Sequence, residues 1–338
     1  MQTKRLGKSA IAVSTICMGT MTFGNQADEK MAFRILDKSL DAGINFFDTA
    51  ENYPVPPKEE WAGVTEEIVG RWMKTKRRDE LIIATKVCGP SHGWIKGSQR
   101  AGMTALDRHN ITRAIEASLT RLGTDYVDLY QTHWPDHGTP YDETMEVLDE
   151  LVRDGKVRIL GCSNETSWGL MKSLAASERG GYARYQTIQN NHSLNNRRLE
   201  DELAQVCRQE NVSAIPYSPL AGGVLSGKYN DGATPDASRF SAYLKLGGRQ
   251  ATMARRFIND KTLASTERFQ AIANEAGISV VTLATAWSKQ HDFVASTIVG
   301  ATREDQLDDI FAAADLTLSD EVLKAIDAVT KDILYPMG

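Results

Sequence analysis

Residues 126–162 read YVDLYQTHWPDHGTPYDETMEVLDELVRDGKVRILGC, and this stretch decides the architecture. A short apolar run at 126–130 gives way to polar and turn-forming residues. Tyr141, Met145, Leu148 and Val152 then recur at spacings of four and three, which is one face of a helix. Asp154-Gly155-Lys156 closes that segment, the glycine being free to take the left-handed conformation that helix C-termini favour. A second apolar run follows at once, at 157–162. Strands that are nearly continuous in apolar residues are covered on both faces, so the order strand–helix–strand predicts a parallel pair joined by a crossover helix.

The same unit repeats along the chain. Apolar runs occur at 14–18, 45–48, 81–87, 126–130, 157–162, 187–191, 212–215 and 295–299. Helical segments follow at 28–42, 65–76, 109–122, 141–154, 167–177, 197–210, 262–276 and 303–313. Eight such units predict a closed (β/α)8 TIM barrel of the α/β class, usually about 250 residues plus insertions. The 338 residues are therefore read as a single barrel domain over 1–338, although length alone, at about 150 residues per domain, suggests two. The excess lies after strands two, three and seven, at 54–64, 88–107 and 218–261. Every one of these segments follows a strand and so belongs to the C-terminal mouth, where barrel enzymes place their sites. The longest, 218–261, contains Gly222-Gly223, Gly227, Pro235 and Gly247-Gly248 and is read as an irregular binding loop or lid. Residues 3–13 read as an N-terminal β-hairpin closing the barrel bottom, and 319–330 as a capped C-terminal helix.

Composition excludes several classes. Lys plus Arg is 39 and Asp plus Glu is 44, so the net charge is -5 and the pI about 5.8, which argues against a nucleic-acid binder. No apolar run approaches the roughly 18 residues of a membrane span, and the polar residues 1–10 lack the apolar core of a signal peptide. A cytoplasmic location is expected. Cys17, Cys88, Cys162 and Cys207 show no C-x-x-C spacing and read as reduced core thiols.

Four polar residues stand at the ends of otherwise apolar strands. Asp48 ends strand two with Tyr53 five residues on, Lys86 sits near the end of strand three, and His133 lies just past strand four. Singly, each has an ordinary reading: a turn aspartate, a snorkelling lysine, a core tyrosine, a satisfied buried imidazole. Converging on one mouth, they form a proton-transfer set. A lysine cation lowers the pKa of a neighbouring phenol from about 10, and an aspartate holds that cation in place. The imidazole would orient a carbonyl oxygen beside the phenol. No nucleophile elbow, H-E-x-x-H or P-loop is present, so the attacking group is expected to be a hydride from a bound cofactor. His133 and His137 are four apart, but Pro135 breaks any helix between them, and no metal site is expected.

Five segments, GTMTFG at 19–24, GINFFDTAENY at 43–53, IIATK at 82–86, YVDLYQTH at 126–133 and GCSN at 161–164, together resemble the aldo-keto reductase superfamily, in particular its bacterial Tas-like branch. The resemblance covers essentially the whole chain. It implies an NADP-dependent carbonyl reductase or alcohol dehydrogenase, with Asp48, Tyr53, Lys86 and His133 as catalytic tetrad and Tyr53 as general acid. It further implies that Ser163, Asn164 and Gln189 contact the nicotinamide carboxamide and that Tyr217 stacks on its ring. Ser218, Leu220, Gly222 and Lys228 are implied as pyrophosphate contacts, and Gly300, Thr302, Arg303, Gln306 and Asp309 as the grip on the adenosine 2'-phosphate of NADPH. Loop N–H groups opening a helix, with Arg303 beside them, suit that anion. Ile310 departs from the family's usual asparagine contact to adenine. Trp134 and Trp94, near the mouth, are candidate substrate-pocket walls. The resemblance extends to potassium-channel β-subunits, which implies an alternative: a protein that holds NADPH and reports redox state to a partner.

Overall fold

The computed structural model describes residues 1–90, 99–233, 235 and 238–337. Trp94 lies outside the described residues. Strands β1 (Thr3–Arg5) and β2 (Ala12–Ser14) pair antiparallel. Eight parallel strands follow: β3 (Ile16–Gly19), β4 (Phe46–Asp48), β5 (Ile82–Val87), β6 (Val127–Thr132), β7 (Val157–Ser163), β8 (Tyr185–Gln189), β9 (Ser213–Ala214) and β10 (Thr297–Val299). Their order is β10-β3-β4-β5-β6-β7-β8-β9, each neighbour parallel to the next. The ring closes between β9 and β10 through the isolated parallel bridges Ala214–Val294 and Tyr217–Ile298. The fold is the expected (β/α)8 barrel.

The outer layer begins with α1 (Glu29–Asp41), α2 (Val64–Met73), α3 (Arg108–Leu122), α4 (Tyr141–Arg153), α5 (Ser167–Gly180) and α6 (Leu203–Glu210). Local chemistry sets their ends. The Asp28, Asp107 and Thr166 side chains accept the first-turn N–H of Met31, Asn110 and Gly169, each such cap being worth about 1 kcal/mol. Gly43 and Gly155 take φ of +88° and +75° just past α1 and α4, as the sequence indicated.

Behind β9 the reading needs correction. The segment 218–261 is not irregular throughout: it holds α7 (Arg239–Leu246) and α8 (Gly248–Phe257), separated by Gly247 at φ +74°. After α9 (Asp260–Glu275) comes α10 (Val280–Gln290), which the sequence reading missed. Ser279 caps it, and nearly every α10 side chain from Val280 to Lys289 is buried. A helix buried nearly all round has no charged solvent face to mark its period, and here the polar positions are small, Thr282, Thr285 and Ser288. The segment 303–313 shrinks to a 3-10 turn, Glu304–Gln306, and the five-residue α11 (Leu307–Phe311). The chain ends with α12 (Asp320–Asp332), capped by Ser319 as expected.

The hairpin does close the barrel bottom: Leu6, Ile11 and Val13 pack with Cys17, Phe46, Ala84, Leu129, Ile215 and Ile298 from the strands. A larger apolar layer fills the space between strands and helices. A third, including Tyr229, Phe240, Tyr243, Phe257, Phe269, Trp287 and Ile326, binds α7 to α10 and α12 together outside the barrel. Burying each large side chain contributes about 1.5–3 kcal/mol. All four cysteines are buried and unpaired. Among the described residues no helix is long and apolar enough to cross a membrane.

Candidate active site

Parallel register sets the spacing of the polar residues at the mouth. Asp48 pairs with Ala84, which places Lys86 two residues further up β5, and Lys86 pairs in turn with Gln131 on β6. His133 follows the end of β6, and its N–H donates to Val87 O at 2.9 Å. Tyr53 stands in the loop after β4, followed by cis peptide bonds at Tyr53–Pro54 and Val55–Pro56. All four expected tetrad residues therefore meet.

Lys86, fully buried, donates to Asp48 Oδ2 at 2.5 Å, to Thr49 O at 2.7 Å and to the Tyr53 hydroxyl oxygen at 3.3 Å. Its three N–H donors are thus all used. Asp48 Oδ1 accepts from Gln131 Nε2 at 3.1 Å and Gln189 Nε2 at 2.9 Å. Burial works against the Lys86 charge, but Asp48 and Tyr53 more than offset it, and its pKa is raised. Burial raises the Tyr53 phenol, and the opposing pull of Lys86 does not cancel that. The expected lowering by lysine operates, but the net direction is upward. Burial, then the Lys86 charge, drives His133 well below the ordinary imidazole range, so it is neutral. Its ring stands edge-on to Tyr53 at 5.7 Å between centroids, and Trp134 stacks on it at 3.9 Å and 16°.

Beside the tetrad lies a second network. Asn164, at φ +56°, donates to His133 O at 2.9 Å and to Ser163 Oγ at 3.1 Å, and accepts from the Tyr217 hydroxyl at 2.8 Å. Ser163 donates to Gln189 O. Ser163, Asn164 and Tyr217 thus share one network, while the Gln189 amide nitrogen faces Asp48 and Gln131.

The loop after β9 bends through Ser218, Ala221, Gly222, Gly223 and Gly227, all with φ between +47° and +95°. Successive turns of this kind aim backbone N–H groups inward and form anion-binding concavities. A Cβ on Gly223 would come within 2.8 Å of Lys228 Nζ, and one on Gly222 within 2.8 Å of the Arg239 guanidinium. Neither Lys228 nor Arg239 has a carboxylate partner among the described residues. Desolvation and the charges of Arg239 and Arg303 push the Lys228 pKa down. Mutually repelling cations around a glycine-rich turn fit a phosphate-bearing ligand. At the 2'-phosphate segment the expected helix terminus is weaker than the sequence implied. The N–H groups of Thr302 and Arg303 already donate to Gln306 Oε1, and five-residue α11 has little dipole to offer. Arg303 pairs there with Asp305 at 3.0 Å on the surface, and Lys38 from α1 donates to Glu304 O at 3.1 Å. Gly300 is open to approach, with only Gly19 O within 4.0 Å of a built Cβ. Asp309 meets α10 through its carbonyl, which accepts from Thr282 Oγ1 at 2.7 Å. The Ile310 side chain is buried in the core and is apolar.

Sequence reasoning missed three participants. Gln131, an amide within an apolar strand, supports Asp48. Arg239 joins the cation cluster from inside a segment read as irregular. Glu51, two residues before Tyr53, is buried against Arg100, whose guanidinium donates to both its oxygens at 2.9 Å and so ties the segment after β5 to the loop of Tyr53.

The model of the Aldo/keto reductase family matches residues 15–331. "Protein tas" of Escherichia coli is 41% identical, the match covering 99% of both chains. "Uncharacterized oxidoreductase YrpG" of Bacillus subtilis is 35% identical over 96% of this chain and 94% of that protein. A "Probable voltage-gated potassium channel subunit beta" of Arabidopsis thaliana is 34% identical over 97% of this chain and 96% of its own length.

Proposed function

The chain belongs to the aldo/keto reductase family, and we propose that it is an NADPH-dependent reductase of aldehydes or ketones, with Tyr53 as general acid. One observation carries the reading. Lys86 donates to the Tyr53 oxygen, so the phenolic proton is left to point away from the ammonium, toward a substrate. The raised pKa keeps that proton on Tyr53 at neutral pH. Lys86 and Asp48, locked together, would stabilise the phenolate that remains after transfer. Neutral His133 carries one N–H with which to orient the same carbonyl oxygen, and Trp134 stacked on it would wall the pocket.

A reduced nicotinamide cofactor, when bound, supplies the hydride that reaches the carbonyl carbon. Ser163, Asn164 and Tyr217 would hold its nicotinamide end, with Gln189 set behind them against Asp48. Ser218, Leu220, Gly222, Lys228 and Arg239 would hold its pyrophosphate. Gly300, Thr302, Arg303, Gln306 and Asp309 would border its 2'-phosphate. The test is NADPH consumption over a panel of aromatic aldehydes, sugars and hydroxy-ketones, with the reverse reaction on alcohols. Turnover at ordinary rates supports the reading.

A second reading draws on the plant relative named for a channel subunit. A sensor would keep its cofactor bound and cycle very slowly on every carbonyl tried, and stopped-flow oxidation of prebound NADPH separates the two.

A further inference from the structure

His192, Glu200 and His291, none of them a tetrad residue, each offer one ligand atom, and these atoms lie within 4.8 Å of one another. His192 and Glu200 belong to the segment between β8 and α6, and His291 is the C-cap of α10. The two imidazoles stand edge to face, 5.1 Å apart. His192 is fully buried and meets Glu200 Oε1 at 3.0 Å through Nε2, while its Nδ1 has no partner. His291 Nε2 is also buried without a partner. The orphaned His291 Nε2, buried beside the His192–Glu200 pair, calls for an occupant, since buried polar atoms are otherwise almost always satisfied.

Charge points to the sign of that occupant. Arg197 donates to Glu200 through Nε and one terminal nitrogen, at 2.7 and 2.6 Å, and to Asp327 through the other at 2.7 Å. One guanidinium thus faces two carboxylates, and the negative groups outnumber the positive one. A cavity of about 340 Å³, lined in part by Arg197, Glu200, Asp327 and Thr330, opens on the carboxylates and supplies a way in.

We propose that His192, Glu200 and His291 bind a divalent transition-metal ion, zinc by preference. Two imidazoles and one carboxylate are the nitrogen and oxygen donors that zinc accepts, and water would complete four-coordination. With ligand bonds of about 2.0–2.2 Å, donors around a tetrahedral zinc sit roughly 3.4 Å apart, so the set draws in by about an ångström. The His192–Glu200 hydrogen bond gives way to two metal bonds, and the His192 proton shifts from Nε2 to Nδ1, so that the imidazole stays neutral. Such an ion would pin the segment after β8 to the end of α10.

The test uses the untagged full chain and Zn2+ alone. Equilibrium dialysis should give about one zinc per chain, a higher melting temperature with zinc, and binding at least about tenfold weaker in His291→Gln. Co2+ in place of zinc should show the intense visible bands of a four-coordinate ion. No retained zinc, His291→Gln binding as tightly as the parent, or a Co2+ spectrum of six-coordinate type would overturn the proposal. The Co2+ spectrum of the parent chain decides by itself if the variant does not fold.

Discussion

The Lys86 ammonium donates to the Tyr53 oxygen from 3.3 Å, and its other two N–H groups are fixed by Asp48 and Thr49. Removing the phenolic proton should therefore abolish proton donation while leaving the lysine in place. Tyr53→Phe is expected to lower kcat by about 10²–10⁴-fold. NADPH binding, followed by fluorescence titration, should change little. Undiminished turnover of a reactive aldehyde would sink the proton-donor role.

Gln131 supplies one of the two amide donors on Asp48 Oδ1. A hydrogen bond to a charged group is worth about 1.5–3 kcal/mol, so Gln131→Leu should reduce kcat by roughly tenfold or more. The loss should come with a displaced pH–rate profile, because Asp48 acts only through Lys86. A change confined to KM would place Gln131 outside this chain of contacts.

Arg303 is the cation proposed to meet the 2'-phosphate, and its only ion-pair partner among the described residues is Asp305. Arg303→Ala should weaken NADPH by about tenfold, or 1.4 kcal/mol, and leave NADH unchanged. Asp305→Asn, which frees the guanidinium from a surface pair of small worth, should tighten NADPH slightly. Calorimetric titration of both cofactors checks this, and equal affinities before and after Arg303→Ala would refute the assignment.

His133 is held neutral by burial and by Lys86, whereas in the unfolded chain it titrates near 6.5. Below that pH the unfolded chain takes up a proton that the folded chain refuses. Stability present above about pH 6.5 is therefore lost as pH falls toward the depressed folded value, by up to about 1.4 kcal/mol per pH unit for one group. His192 and His291 are shifted downward by burial as well and steepen the fall. Melting temperatures between about pH 7 and 5 should decline less steeply in His133→Gln than in the parent. Parallel slopes would show that His133 accepts a proton without unfolding.

Gly70 lies on α2 where that helix crosses the end of α3, and a Cβ there would stand 2.5 Å from Arg121 O and 2.7 Å from Leu122 O. Backbone cannot move aside cheaply. Gly70→Ala should cost about 1–3 kcal/mol in denaturant unfolding despite its better helix propensity. A more stable variant would mean that α2 shifts freely on α3.

Asp48, Lys86 and His133 were legible because a charged or ionisable side chain at the end of an apolar strand is conspicuous, and eight repeats of strand and helix fixed where those ends meet. Gln131 and Gln189 were harder to place against Asp48. An amide in a strand is equally at home capping backbone groups, and only the barrel's curvature brings strands β4, β6 and β8 to one carboxylate. Helix α10 escaped because near-complete burial leaves it no charged solvent face, and α7 and α8 escaped because the glycines between and before them resemble a loop. Arg239 depended on α7. The cluster of His192, Glu200 and His291 spans about a hundred residues of sequence, and no local spacing announces it.

The barrel has one thin joint. Strand β9 is two residues long and meets the β10 side only through isolated bridges. The two loops that rise from β9 and β10 carry, respectively, the Lys228–Arg239 concavity and the Arg303 turn. A polyanion gripping both loops would lace the weakest seam of the ring, so occupancy of the mouth and mechanical integrity of the barrel become one property. An emptied chain would fray first along that seam, and its cofactor would serve as the ninth stave.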